Sequence, residues 1–185
     1  MVRHELGKWN LNELIKNSNR SIVDKKLANI ESNAKKFEKN KKSLSPKISS
    51  RKFLKLLHDI ENITEKSSLI GGYASLRYSE NTQSDEATSF LTRITKFGSD
   101  IENRLLFFDL WWKKQVDEKN ARRLIKSGGQ FSEYLRFKRL LTKYSLSEPE
   151  ERIINTLDVT GASALVKLYD KITNAYVYVV TVDGK

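Results

Sequence analysis

Residues 146–170 read L-S-E-P-E-E-R-I-I-N-T-L-D-V-T-G-A-S-A-L-V-K-L-Y-D and begin with the chemical signature of a helix N-terminus. Ser147 is a favourable N-cap, because its hydroxyl can accept from a backbone N–H that has no partner within the helix. Glu150 lies three residues further on and can complete a capping box by accepting from the N–H of the cap. Pro149 stands in the first turn, where its missing N–H costs nothing.

The same stretch contains a second helix signal after an interruption. The apolar pattern breaks at Asp158-Val159-Thr160-Gly161, and glycine is a common helix terminator. Apolar residues recur at helical spacing on both sides of the break: Ile153, Ile154 and Leu157 before it, and Ala162, Leu165, Val166, Leu168, Tyr169 and Ile172 after it. We therefore predict two helices joined by a short Thr-Gly turn, the second ending near Tyr176.

Helical spacing extends over most of the remaining chain. Ser21, Ser84 and Asp117 are the predicted N-caps of three further helices. The other helices are predicted over about residues 50–66, 68–78 and 131–141, with Gly71-Gly72 either weakening the helix at 68–78 or permitting close approach of another helix. The helix from Ser84 is the longest, at about 30 residues or roughly 45 Å. We predict an all-α fold, a bundle of about seven helices around this one long central helix, with a short C-terminal strand-like tail.

Four short motifs, in order along the chain, resemble the N-terminal helical region of oligoendopeptidase F, in the thimet-oligopeptidase-like family of zinc metallopeptidases. They are W-N-L at 9–11, Y-A-S-L at 73–76, F-F-D-L at 107–110, and L-S-E-P-E-E-R-I at 146–153, the last followed by T-G-A and L-Y-D. Asn10 replaces the aspartate that is usual in the family. The double tryptophan Trp111-Trp112 has no place in the family pattern.

The composition indicates a helix-rich protein with an uneven distribution of charge. The 185 residues carry a formal net charge of +11, and residues 1–66 hold 16 Lys or Arg against 8 Asp or Glu. Such an excess of positive charge can indicate a nucleic-acid-binding surface. Charge alone, however, is evidence about solubility and non-specific binding and not about a specific function. We therefore interpret it as a solvated, lysine-rich helix face. The absence of cysteine, of an apolar signal segment and of a long apolar run predicts a cytoplasmic protein without a membrane partner.

No catalytic or metal-binding motif is present. A zinc peptidase of this family needs H-E-x-x-H, in which two histidines one helical turn apart hold the metal. The two histidines, His4 and His58, are not followed by a second histidine at that spacing. The pairs Gly71-Gly72 and Gly128-Gly129 lack the strand-to-helix context of a phosphate-binding loop. We assign no catalytic, cofactor-binding or metal-binding residue, and the sequence gives no reason to pair any two carboxylates.

The aromatic cluster Phe107, Phe108, Trp111 and Trp112 has two interpretations. Burial between two helices is the favoured one, since these residues span a wide apolar helix face. If one tryptophan were exposed, it would be a candidate contact for a peptide or for another domain.

The resemblance implies a function for the whole chain. Residues 1–178 would form the helical N-terminal lobe over the substrate cleft of an oligoendopeptidase F-like zinc metalloendopeptidase, whose zinc lies in a catalytic domain later in the chain. The implied partners are oligopeptide substrates and that catalytic domain, and this chain alone should not hydrolyse peptides. The alternatives are a basic helical nucleic-acid-binding protein, for which nothing beyond the charge argues, and a helical scaffold.

The C-terminal residues predict that the chain continues. Residues 176–182 read Y-V-Y-V-V-T-V, a strand-like composition that can also continue the preceding helix, and Asp183-Gly184 is a strong hairpin signal. A strand without a partner leaves its backbone groups unpaired. We therefore expect residues 179–185 to form the start of a hairpin that leads into the missing catalytic domain. Without that domain, we expect them to be disordered, helical or paired with a neighbouring molecule.

Overall fold

The chain folds into helices in the order that the capping and spacing signals indicate. The structure is a computed structural model, and it describes residues 9–16 and 19–178. The α-helices are α1 (Arg20–Glu38), α2 (Ser50–Glu80), α3 (Asp85–Leu110), α4 (Glu118–Lys126), α5 (Ser132–Leu140), α6 (Glu148–Thr160) and α7 (Ala162–Thr173). Short 3-10 turns occupy Lys39–Ser43, Gly129–Phe131 and Leu141–Tyr144, and a π-helical turn occupies Trp111–Gln115. The described residues contain no strand, so the all-α prediction is confirmed for them.

The number of helices depends on how α6 and α7 are counted. They are separated by the single residue Gly161, whose backbone (φ −97°, ψ −105°) is not helical. They form one broken helix or two separate ones, so the predicted number of about seven rests on that choice. The second of them ends at Thr173, three residues before the predicted end at Tyr176.

Most helix starts follow the local chemistry read from the sequence. Ser84 accepts from the N–H of Ala87, and Asp117 accepts from that of Asn120, as predicted. At Ser147 the capping box is present, and the backbone N–H donates to the Glu150 carboxylate at 2.8 Å. The prediction for the first helix is wrong, because Asn19 caps α1 and Ser21 lies within its first turn.

The predicted break between residues 66 and 68 is also wrong. Helix α2 runs without interruption for 31 residues through Gly71-Gly72 and is longer than α3, which has 26. Glycine weakens a helix by only about 1 kcal/mol per residue relative to alanine. Burial of one face of α2 against α1 and α3, including Ile63, Ile70 and Tyr73, offsets that cost. The central position nevertheless belongs to α3, which packs against α1, α2 and α6.

The π-helical turn after α3 explains why two adjacent tryptophans are both buried. The N–H of Val116 donates to the carbonyl of Trp111 at 3.2 Å, which closes a turn one residue wider than an α-helical turn. Both indole rings lie in the core, where the ring of Phe53 packs against each of them, with centroids 6.1 Å from Trp111 and 5.3 Å from Trp112. The burial predicted for the aromatic cluster is confirmed, and neither tryptophan is available as a surface contact.

Two further predictions are limited by what the structure describes. Residues 179–185 of the expected hairpin lie outside the described residues, and Tyr176–Tyr178 before them are exposed and without regular structure. None of the described helices is both long and apolar enough to cross a membrane.

Candidate docking face and groove

The histidines do not form a metal site in the described part of the chain. His4 lies outside it. His58 is exposed on α2, where its Nδ1 lies 3.1 Å from the Glu61 carboxylate and its ring packs edge-on against Phe131. No group of three or more His, Cys, Asp or Glu among the described residues could hold a metal ion.

Helix α6 is attached to the bundle through polar groups. The Ser99 hydroxyl on α3 donates to the carbonyl of Asn155 at 2.9 Å, and the Asn155 side-chain amide donates to Asn103 at 3.0 Å. At its N-terminal end, Glu148 accepts from Arg152 and from Lys41 of the turn that follows α1. The hydrogen bond from Arg152, and then the ammonium group of Lys41, hold the pKa of Glu148 below its usual value.

Helix α7 is also held by polar contacts. The Tyr78 hydroxyl donates to the carbonyl of Lys167 at 2.9 Å, and Gln83 donates to the carbonyl of Lys171 at 3.0 Å. The ammonium group of Lys171 pairs with Asp85 at 3.3 Å. No residue of α6 or α7 is buried, although every other α-helix buries at least one side chain.

The apolar side chains of α6 and α7 consequently remain largely exposed to solvent. We call this surface the α6–α7 apolar face; it comprises Ile153, Ile154, Leu157, Leu165, Val166, Leu168, Tyr169 and Ile172, each 47–68% exposed. The apolar stripe of an amphipathic helix normally faces the core. Summed over the eight residues, the exposed area is on the order of 800 Å², whereas the largest apolar patch on most monomers is about 300–600 Å². A face of this size is typical of a surface that another polypeptide covers.

A groove of about 500 Å³ lies beside α6. We call it the α2–α3–α6 groove, after the helices that form most of its walls. Its lining includes Ser67, Ser68, Gly71 and Ser75 of α2, Phe97, Gly98 and Leu105 of α3, and Ile154 and Val159 of α6. The volume falls within the range of pockets that hold small ligands, about 300–1,000 Å³.

Two carboxylates, Glu102 of α3 and Asp158 of α6, also line the groove, and both are exposed at its rim. Although Glu102 is exposed, the protein atoms around it displace part of its hydration shell, which raises the pKa of its carboxyl group, and the negative charge of Asp158 raises this pKa further. No sequence pattern indicated this pairing, because the two residues lie 56 positions apart on different helices. The one local signal for the groove is the uncharged stretch 67–76, in a chain of which 31% of the residues are charged.

The two buried indoles differ in their hydrogen bonding. Trp112 Nε1 donates to the carbonyl of Leu135 at 3.1 Å. Trp111 Nε1 is buried and has no partner in the described part of the chain. The Trp111 side chain lies against a second cavity of about 310 Å³, next to Lys114 and the start of α6.

No model of a known protein family matches this sequence, and no curated protein and no solved structure matches it either. The features of the chain that bear on its function are therefore the short motifs, the α6–α7 apolar face and the groove.

Proposed function

We propose that this chain is the N-terminal substrate-cleft lobe of an oligoendopeptidase F-like zinc metalloendopeptidase. In this role the lobe binds a metal-bearing catalytic domain through the α6–α7 apolar face. It also restricts access to the cleft, so that only short, unstructured peptides enter.

The main observation that supports the proposal is the exposure of the α6–α7 apolar face. At about 25 cal/mol per Å² of apolar surface removed from water, covering on the order of 800 Å² contributes roughly 20 kcal/mol before the costs of association are subtracted. A second domain of the same protein pays little of the translational and rotational cost, because the chain already holds the two domains together. A face of this size and apolar character suits a domain interface.

The motifs of the resemblance support the proposal from a second direction. Tyr73, Phe107 and Phe108 lie in the core of the bundle, and Ser147 begins the helix that carries the first part of the apolar face. They are thus residues on which the shape of the lobe depends. A family that shares the lobe would be expected to share them.

The described residues are not suited to zinc, since they contain no cluster of three ligand side chains. We therefore derive no hydrolytic step for this chain. Under the proposal, the metal and the residues that act on its bound water belong to the catalytic domain, and this chain contributes binding and exclusion of large substrates.

Complementation in trans tests the proposal. The catalytic domain of an oligoendopeptidase F, prepared without its own N-terminal helical region, is mixed with this chain. The expected results are a 1:1 complex on gel filtration and an increase in kcat/KM for a short quenched peptide. The chain alone, supplied with zinc, should show no turnover. A failure to form the complex, or turnover by the isolated chain, would contradict the proposal.

A pair of matched double variants separates the apolar face from general effects of charge. Leu157→Glu with Leu168→Glu places two carboxylates on the face and should abolish complex formation. Ala28→Glu with Ser32→Glu adds the same charge at exposed positions of α1 and should leave the complex intact. Equal loss of complex formation in both variants would show that the α6–α7 apolar face is not the binding surface.

A further inference from the structure

The α2 wall of the α2–α3–α6 groove is unusually free of charge and bulk for an exposed surface. Thr64, Ser68 and Ser75 are exposed on this wall, and Gly71 lies between them. From residue 67 to residue 76 the helix carries no charged side chain at all. A molecule that binds against this wall therefore displaces water from no charged side chain, and the serine and threonine hydroxyls can hydrogen-bond to it.

Glycines occupy helix interiors here without a packing reason. Gly71 and Gly98 line the groove, and Gly72 is adjacent. A Cβ atom added at any of the three would meet no atom within 4 Å outside its own helix backbone and chain neighbours, so close approach of another helix does not explain them. Glycine is also the weakest helix former apart from proline. These glycines therefore leave open space in the groove and lower the stability of their helices. This combination favours the interpretation that a bound molecule approaches the helix backbone closely.

The rim of the groove is negatively charged, whereas the protein as a whole carries a net positive charge. Glu102 makes no ion pair or hydrogen bond to any other described residue, and Asp158 accepts one hydrogen bond, from the Ser163 hydroxyl at 2.8 Å. The chain carries a net charge of +11, yet no lysine or arginine neutralises this pair within the described part. Two carboxylates that line the same groove without a counter-ion favour a cation there.

We propose that the α2–α3–α6 groove binds an extended peptide segment in which a lysine or arginine stands next to large apolar residues. The backbone of the peptide lies over Gly71 and Gly98, its apolar side chains contact Phe97 and Leu105, and its cation pairs with Glu102 and Asp158. This inference rests on the proposed function in one respect, since it names the class of peptide that the lobe selects. It predicts discrimination against acidic peptides, because like charges at the rim repel them.

Fluorescence anisotropy with the whole 185-residue chain and no catalytic domain tests the inference. The probe is a labelled, end-capped peptide of sequence Gly-Leu-Arg-Phe-Gly, compared with Gly-Leu-Glu-Phe-Gly and Gly-Gly-Arg-Gly-Gly. The first should bind at least about tenfold more tightly than either of the others, since the second loses the ion pair and the third loses the apolar contacts. Equal binding of the arginine and glutamate peptides would overturn the proposal.

Substitutions at the rim test the charge. Glu102→Gln should weaken binding of the arginine peptide about tenfold and should leave folding unchanged, because Glu102 has no partner in the described residues to lose. Glu65→Gln removes the same charge from an exposed position on α2 that does not line the groove, and it should have no effect. Equal losses in the two variants would mean that only the net charge matters, and the groove would be excluded.

Substitutions at the α2 and α3 walls of the groove should change stability and peptide affinity in opposite directions, which a purely structural role of the glycines would not predict. The double variant Gly71→Ala with Gly98→Ala should raise the melting temperature, because alanine favours helix and meets no neighbour, and it should weaken peptide binding at least about fivefold. Should this variant fold poorly, Ser75→Leu at an exposed position fills the groove by another route. Full affinity in either variant would overturn the inference. Since none of these measurements uses peptidase activity or the catalytic domain, the groove and the proposed function can fail separately.

Discussion

Substitution of each of the two adjacent tryptophans by phenylalanine tests how the core is held together. Trp111→Phe and Trp112→Phe remove the same atoms from neighbouring buried positions, so the loss of ring volume and of contact with Phe53 is similar in both. Trp112→Phe also loses the Nε1 hydrogen bond to Leu135 and reduces the cation–π contact with Arg139, whose guanidinium lies 5.7 Å from the ring centroid.

The magnitude of the difference follows from these contacts. A buried hydrogen bond contributes about 1 kcal/mol net, and the cation–π contact adds about 0.5–1 kcal/mol. Trp111→Phe removes a buried N–H that has no partner in the described chain, and this recovers part of a desolvation cost of about 1–3 kcal/mol. We expect Trp112→Phe to lower the free energy of unfolding by about 2 kcal/mol more than Trp111→Phe does.

Urea unfolding followed by far-UV circular dichroism measures this difference without relying on tryptophan fluorescence, which changes in both variants. At equal m-values, the difference of about 2 kcal/mol appears as a difference in midpoint of about 1 M or somewhat less. The reasoning is refuted if Trp111→Phe is as destabilising as Trp112→Phe. Trp111 Nε1 would then have a stabilising partner, such as an ordered water in the neighbouring cavity.

Three further predictions concern the C-terminal helices. Gly161→Ala should destabilise the junction of α6 and α7, because an added Cβ would lie 2.9 Å from the carbonyl oxygen of Leu157; thermal unfolding should show a lower melting temperature, and an unchanged one would mean that the junction relaxes freely. Acidification should loosen the N-terminal end of α6. The folded-state pKa of Glu148 lies below its unfolded value, so the stability that it contributes is present above about pH 4.3 and is lost as the pH falls through the folded pKa; Glu148→Gln should remove this pH dependence of the amide signals of α6. Tyr78→Phe should speed hydrogen exchange in α7 about fivefold with little change in α3, because it removes the hydrogen bond to Lys167; equal rates in α7 would show that this bond does not hold the helix.

The residues that set the helices could be identified from the sequence because their interactions are local. The capping box at Ser147 and Glu150 joins groups three residues apart, and the caps at Ser84 and Asp117 have the same short range. Helical spacing likewise predicted a buried aromatic cluster. Where local signals misled, as at Gly71-Gly72, packing along the rest of α2 outweighed a small local preference.

The sequence by itself thus determined that the chain is helical, where most helices begin and which residues share a face. Only the tertiary structure decided what each face meets. Periodicity groups Ile153, Ile154 and Leu157 on one side of α6, but it does not show that this side is exposed while Asn155 faces α3. In the same way, no spacing rule brings Glu102 of α3 to Asp158 of α6. The physical reason is that a helix fixes the arrangement of its own side chains through bonds four residues long, whereas the pairing of its faces depends on packing among residues far apart in the chain.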